Sequence, residues 1–533
     1  METVNPPKSW LPHPRFLGTM FALGIAAWPV CGNEPTARQV AADETAVIAT
    51  AHYASAPVAS APARPAAPAT ASPFSPQLFE NDFSYKQHPD HTYIPGEELK
   101  DMPLGTLTGR PLFGETTLST GGELRFRYLD ETNRLRPNGP GHSSYDQWRW
   151  RHYVDVRHAD MVRGYVELID SSTNHADLPL VVIDKNRWDL QNAFVDLSAP
   201  WYVDHPVTVR IGRQEMVYGA QRLISSLDWA NTRRNFEGIK LFTRQETWSL
   251  DGWVMNPVNS TTTGNEPLAV SDNSFDQRNE DYLFAGTYGT YRGLKDHTFD
   301  AFFLYTNLNI PVAGLPYGDR YTLGTRWLGN LLTTRGGVSW QAEIEGGYQF
   351  GNDRSALYDA ASPRASVQAG YVTAGIGHSW TQHPWKPSVW WYWDWASGDQ
   401  SPTDGENNTF FQLFGLVHAY MGLMDNLARQ NISDVNVKCT VQPGEKLWVQ
   451  LQHHWYQLAT GNDVLYNVAG NPVGSPGNGT NVGNEFDIVA TYNVNHNWSL
   501  EIGYFWFWYG SYIGAVAPRP TAESIYVMST LRY

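Results

Sequence analysis

GVSWQAEIEGGYQF, residues Gly337 to Phe350, is the stretch whose reading decides the fold. Val338, Trp340, Ala342, Ile344, Tyr348 and Phe350 share one parity, while Ser339, Gln341, Glu343, Glu345 and Gln349 share the other. Successive side chains of a strand point to opposite faces, so this run is a strand with one apolar and one polar face. A soluble sheet hides its apolar face in a core. A membrane barrel turns that face to lipid and keeps the polar face around water.

The pattern recurs outward from there. Trp498, Leu500, Ile502, Tyr504, Trp506 and Trp508 oppose Ser499, Glu501 and Gly503, although Phe505 and Phe507 interrupt the polar side. Val389, Trp391, Trp393 and Trp395 oppose Trp390, Tyr392 and Asp394. Aromatic residues are 14% of the chain, and amphipathic rings collect where a barrel meets the membrane interface. A Trp-rich, carbohydrate-binding β-protein has the same composition, so strand order must decide between them.

Composition removes other classes. No run of about 18 apolar residues exists to form a spanning helix. A net charge of -15 excludes a nucleic-acid partner, which needs a clustered basic surface. The two cysteines, Cys31 and Cys439, build no disulfide framework.

Residues 1–32 read as an export signal, Lys8 and Arg15 leading into the apolar run Phe16 to Val30. Residues 33–75 form an Ala/Pro-rich spacer too poor in apolar surface to fold. Residues 76–118 are polar and turn-rich, and either make a small periplasmic lead-in or reach into the barrel as a plug. The barrel itself is expected over 119–533.

Connections supply the strand count. Short links such as Pro443-Gly444-Glu445 and Asn495-His496 alternate with long ones such as 257–280, 351–367, 460–483 and 510–522. Segment 398–431 reads as one long external loop, partly helical. The expected fold is all-β: a transmembrane, antiparallel, up-and-down β-barrel of about 18 strands, with short periplasmic turns and long external loops, in a bacterial outer membrane.

The segment GRQEMVYGAQRLISSLDWANTRRNFEGIKLF, Gly212 to Phe242, resembles the signature of the alginate export porin family. Gly122 to Tyr128 (GELRFRY), the block WYWDWASGD at 391–399 and the loop ending Gly422 to Asn431 extend the resemblance over roughly residues 80 to 533. It implies an eighteen-stranded barrel whose characterised members export alginate through an electropositive lumen. Within the signature, Arg213, Gln214, Tyr218, Gly219, Arg222, Asp228, Trp229, Arg233 and Arg234 are the candidate functional residues. A loop at 218–235 can fold inward and narrow a pore, or its charges can pair with one another simply to pin it.

Taking the inward face as the one opposite the apolar set, the first strands contribute Arg125, Arg127, Arg149, Arg151, Arg157, Arg163 and Arg210, interleaved with Glu123, Asp155 and Glu167. Later strands contribute Glu343, Glu345, Asp394, Asp434, Asp487 and Glu501, with Lys438 and Arg326 as basic counterparts. Such a two-sided lumen sets a transverse field across water and selects solutes by charge. Each Arg also has a bland reading, as a rung in a fixed ion-pair ladder on the wall.

No GxSxG elbow, Walker loop, HExxH or CxxC spacing occurs, and the adjacent His453 and His454 face opposite sides of a strand. The expected function is therefore a channel for polar or anionic solutes, not an enzyme, with no cofactor and no metal. The alternatives are a secretion pore for an anionic polysaccharide and a surface structural or adhesion barrel with a blocked lumen. The expected partners are outer-membrane lipid, the solutes or the polysaccharide, and periplasmic export components.

Overall fold

A computed structural model describes residues 72–533, except 89, 106–113, 136–139, 200–205, 260–274, 313, 335, 355–362 and 517–518. The expected export signal, and the expected spacer up to residue 71, lie outside the described residues. Eighteen strands form the wall: β1 (Thr116–Thr132), β2 (His142–His158), β3 (Val162–Asn174), β4 (Asn186–Ala199), β5 (Val207–Gln214), β6 (Phe236–Arg244), β7 (Trp248–Asn259), β8 (Tyr282–Tyr291) and β9 (His297–Leu308). They continue as β10 (Tyr317–Thr333), β11 (Val338–Arg354), β12 (Ala365–Trp380), β13 (Ser388–Ala396), β14 (Ile432–Val441), β15 (Leu447–Gln457), β16 (Asn481–Asn493), β17 (Trp498–Tyr509) and β18 (Ala522–Arg532).

Each strand is antiparallel to the next, and β1 closes the ring on β18 from Glu123↔Arg532 to Thr132↔Glu523. The sheet has no free edge, as backbone groups in lipid require. The alternating connections mark the two rims. Segments 159–161, 245–247 and 494–497 turn at one rim, and 215–235, 397–431 and 458–480 leave toward the other.

Burial is inverted relative to a soluble sheet. On β11, Glu343 and Glu345 are 4% exposed while Ile344 and Tyr348 are 48% and 51% exposed. Leu241, Val254, Leu323 and Ile502 are also turned outward, and Trp498 and Trp508 bracket the outward Leu500 and Ile502 on β17. Only lipid makes that distribution favourable, because water would charge for every outward apolar side chain.

Two strands stop short of their neighbours. β5 pairs with β4 from Val207↔Ala199 to Arg213↔Ala193, yet β4 runs on to Asn186. β13 ends at Ala396↔Tyr371 while β12 continues to Ala365. The chain therefore leaves the wall below the rim at both places and turns into the lumen. For 397–431 this corrects the expectation of an external, partly helical loop: residues 408–431 are almost wholly buried, and their helical content is one 3-10 turn, Val417–Ala419. Phe505 and Phe507 have the same explanation, since their inward rings pack in a core made by these loops.

The lead-in, through short 3-10 turns at Leu78–Glu80, Ser84–Gln87 and Glu97–Leu99, packs Leu78 and Phe79 against Tyr153, Tyr165 and Phe194. Lys100 lies beneath the rings of Phe83 and Tyr153 and donates to the Tyr533 carbonyl at 3.3 Å. Burial pushes its ammonium down to about 8 from 10.5. The docked segment thus binds fewer protons than the released one between those values, so docking strengthens as pH rises, by up to ~1.4 kcal/mol per pH unit. Limited proteolysis should cut 72–103 more slowly at pH 9 than at pH 7, and Lys100→Met should abolish that difference.

Candidate functional site: the filled lumen

The basic wall arises from register. Arg125 of β1 faces Arg149 of β2, Glu123 faces Arg151, and Arg127 faces Gln147. Four guanidinium groups on adjoining inward positions repel one another unless acceptors reach them. The loop 215–235 brings those acceptors. The Asp228 carbonyl accepts from Arg125 Nη1 at 2.8 Å and Arg149 Nη1 at 3.0 Å; the Trp229 carbonyl accepts from Arg127 Nη1 at 2.8 Å; the Ala230 carbonyl accepts from Arg125 Nη2 at 2.6 Å. Arg149 also reaches Glu123 at 2.7 Å and the Asp228 carboxylate at 2.9 Å.

Arg125 and Arg127 differ from the rest. They are 4% and 3% exposed, and their acceptors are backbone carbonyls and the Gln147 amide rather than carboxylates. Below them Arg151 bonds Glu167 at 2.7 Å and Glu215 at 3.3 Å, and Arg233 of the loop forks onto Glu215 at 2.7 and 2.6 Å. Arg233 also bonds Asp228.

The other end of the loop meets the acidic wall. Arg222 donates to Glu343 at 2.8 and 3.1 Å and to Glu345 at 2.7 Å. Arg326 of β10 shares Glu343 at 2.7 Å, while Tyr392 and Tyr371 donate to Glu343 and Glu345 at 3.1 and 2.8 Å. The loop thus spans the lumen, offering carbonyls to one side and a guanidinium to the other. The two-sided charge found in the sequence is complementary to this loop.

Segment 397–431 completes the filling. Arg429 bonds Asp394 at 2.7 Å, Met424 N donates to Glu485 at 2.7 Å, and Leu423 N donates to Asp487 at 3.3 Å. Gly422, at φ 88°, precedes them, and a Cβ there would run into the Glu485 carboxylate. Gln349 of β11 pairs reciprocally with the Phe411 backbone at 2.9 Å each way. The two loops join one another through Ser225 N to the Phe414 carbonyl (3.0 Å) and Phe414 N to the Leu223 carbonyl (2.9 Å). Arg234 donates to the Phe414 carbonyl as well.

The remaining candidates scatter around this plug. Arg157 and Arg163 share Asp155, and Arg210 forks onto Asp196 at 2.7 and 2.8 Å near the short-turn mouth. Asp434 accepts from His454 at 2.8 Å, and Glu501 accepts from Tyr526 at 2.7 Å and Thr491 at 2.8 Å. Arg213 reaches the carbonyls of Leu190 and Asp276, Gln214 is buried, and Tyr218 donates to Asp251 at 2.6 Å beside Gly219. Sequence reasoning missed Arg429, Glu485 and His418, and it put Gln349 on the polar face without a partner. Glu485 shares the parity of Asp487 and was findable; Arg429 and His418 lie in a loop, where parity gives no direction.

The model of the family described as alginate export matches residues 116–527. Among solved structures, OccAB1 of Acinetobacter baumannii is similar, at 12% identity and a TM-score of 0.52 over 78% of this chain and 96% of that one. OccD3 (OpdP) of Pseudomonas aeruginosa aligns at 11% identity and a TM-score of 0.50, over 78% and 91% of the two chains. OccK8 (OprE) of the same organism aligns at 12% and 0.50, over 78% and 98%. At these identities the likeness is one of fold. No curated protein matches the chain.

Proposed function

This chain belongs to the alginate export family and is a porin-like channel of the bacterial outer membrane, and from that premise we propose that it conducts anionic solutes past Arg125, Arg127 and Arg149 when the loop 215–235 withdraws from them. The observation that carries this is the pair of buried guanidinium groups, Arg125 and Arg127, whose acceptors are neutral. A buried cation held by neutral dipoles gains from a carboxylate, because an opposite full charge adds a Coulomb attraction that a carbonyl dipole does not supply. We read the protein as a channel and not an enzyme, since among the described residues the buried charges of the lumen pair with its loops and no nucleophile, base and orienter converge.

Reversal potentials in planar bilayers under a salt gradient test the reading. The wild-type channel should prefer anions, and the double variant Arg125→Gln/Arg127→Gln should shift toward cations by at least about threefold in permeability ratio. An unmoved ratio would place these residues outside the path. The family match favours a second reading, passage of an anionic polysaccharide. Block of the current by oligouronates at micromolar concentration would support it, with periplasmic export components as partners.

A further inference from the structure

The part of the loop that occupies the basic wall has a particular chemistry. The Trp229 ring lies 4.1 Å from the Arg127 guanidinium carbon, stacks on the His418 imidazole at 4.0 Å and 10°, and meets the Tyr526 ring edge-on at 5.0 Å and 75°. The same Arg127 donates to the Trp229 carbonyl at 2.8 Å. One guanidinium therefore holds both a flat ring and the oxygen acceptor next to it. The neighbouring Asp228 adds a carboxylate, bound by Arg149 at 2.9 Å.

A second station repeats this combination toward the short-turn mouth. Phe79 of the lead-in places its ring 4.9 Å from the Arg210 guanidinium and packs edge-on against Phe194 and Tyr165. Its carbonyl accepts from Arg163 Nη2 at 2.7 Å. At two depths the lumen holds a chain-borne aromatic ring against one arginine and the adjoining carbonyl on an arginine.

Resting on the reading of the lumen as an anion path, we propose that the solute is a monocyclic aromatic carboxylate, for which Trp229 with its carbonyl, and Phe79 with its own, are the chain's stand-ins. A monocyclic aromatic carboxylate combines a π face with an oxygen acceptor in one small molecule, as each stand-in combines a ring with the main-chain carbonyl of the same residue. It also supplies the negative charge that Arg125 and Arg127 lack in the filled state. Entry of such a ligand displaces the loop carbonyls from the arginines that donate to them, so binding and opening are one event. A saturated ring or a uronate supplies the carboxylate but no π face, and forfeits the ring-face contacts with the Arg127 guanidinium and the His418 imidazole.

Full-length protein in planar bilayers, titrated with benzoate, cyclohexanecarboxylate and acetate, tests this. Benzoate should raise conductance at a half-effective concentration about tenfold below that of cyclohexanecarboxylate, with acetate weaker still. Trp229→Ala, which removes the inner stand-in, should lower the benzoate value by about a further tenfold. Equal values for benzoate and cyclohexanecarboxylate in the wild-type protein would overturn the aromatic assignment and leave the anion path standing. Preference for an oligouronate over benzoate would overturn it too. A cation-selective current indifferent to every carboxylate would remove both readings together.

Discussion

Arg222→Ala should turn a rarely open channel into one whose time-averaged conductance in planar bilayers is about tenfold higher. Arg222 is the side chain by which the loop 215–235 holds the acidic wall, through three bonds to Glu343 and Glu345. Its loss leaves both carboxylates sharing Arg326. Breaking a buried ion pair by removing one partner costs about 3–5 kcal/mol. Each ~1.4 kcal/mol of that, if borne by the closed arrangement alone, is a tenfold shift toward the open one. Adding Glu343→Gln and Glu345→Gln should restore closure in part, because neutral amides tolerate burial without a cation. If conductance stayed at the wild-type level, the contacts of 408–431 would be sufficient to close the lumen without Arg222.

Glu215→Ala should have the largest effect on stability. Glu215 is fully buried at the root of the loop and accepts from Arg233, Arg151 and Gln191. Without it Arg233 keeps Asp228 and Arg151 keeps Glu167, but two buried guanidinium groups are left facing one another. Thermal unfolding of the detergent-solubilised barrel, followed by the loss of heat-modifiable migration on gels, should show a penalty of about 3–5 kcal/mol. Glu215→Ala with Arg233→Met should recover much of it, since removing both partners is far cheaper than orphaning one. A penalty under about 1 kcal/mol for the single variant would mean that water already screens the site.

The wall was legible in the sequence because parity is a local property. Glu343 and Glu345 turn inward, and Ile344 outward, for a reason contained in three consecutive residues. The count of eighteen strands followed from the alternation of short turns with long loops. The candidate site was half legible: parity placed Arg125, Arg127, Arg149 and Arg151 on one side of the lumen and Glu343 and Glu345 on the other. It gave no partners for them, because these come from 215–235 and 397–431. Nothing local makes Arg222 seek Glu343 rather than water. That choice is made by β5 and β13 stopping below the rim, which strand boundaries uncertain by roughly two to four residues do not reveal.

The join between β1 and β18 carries one more consequence. Arg532 bonds Glu123 at 3.1 Å, Glu123 bonds Arg149, Arg149 bonds Asp228, and Asp228 leads through Arg233 and Glu215 to Arg151. The ionic chain that anchors the loop therefore begins on the last strand to be made. Until that strand zips against the first, Glu123 is held by Arg149 and Arg151 alone. Closing the cylinder adds the outermost link to the chain of charges that fixes the loop, so the seam of the wall and the filling of the bore share one network.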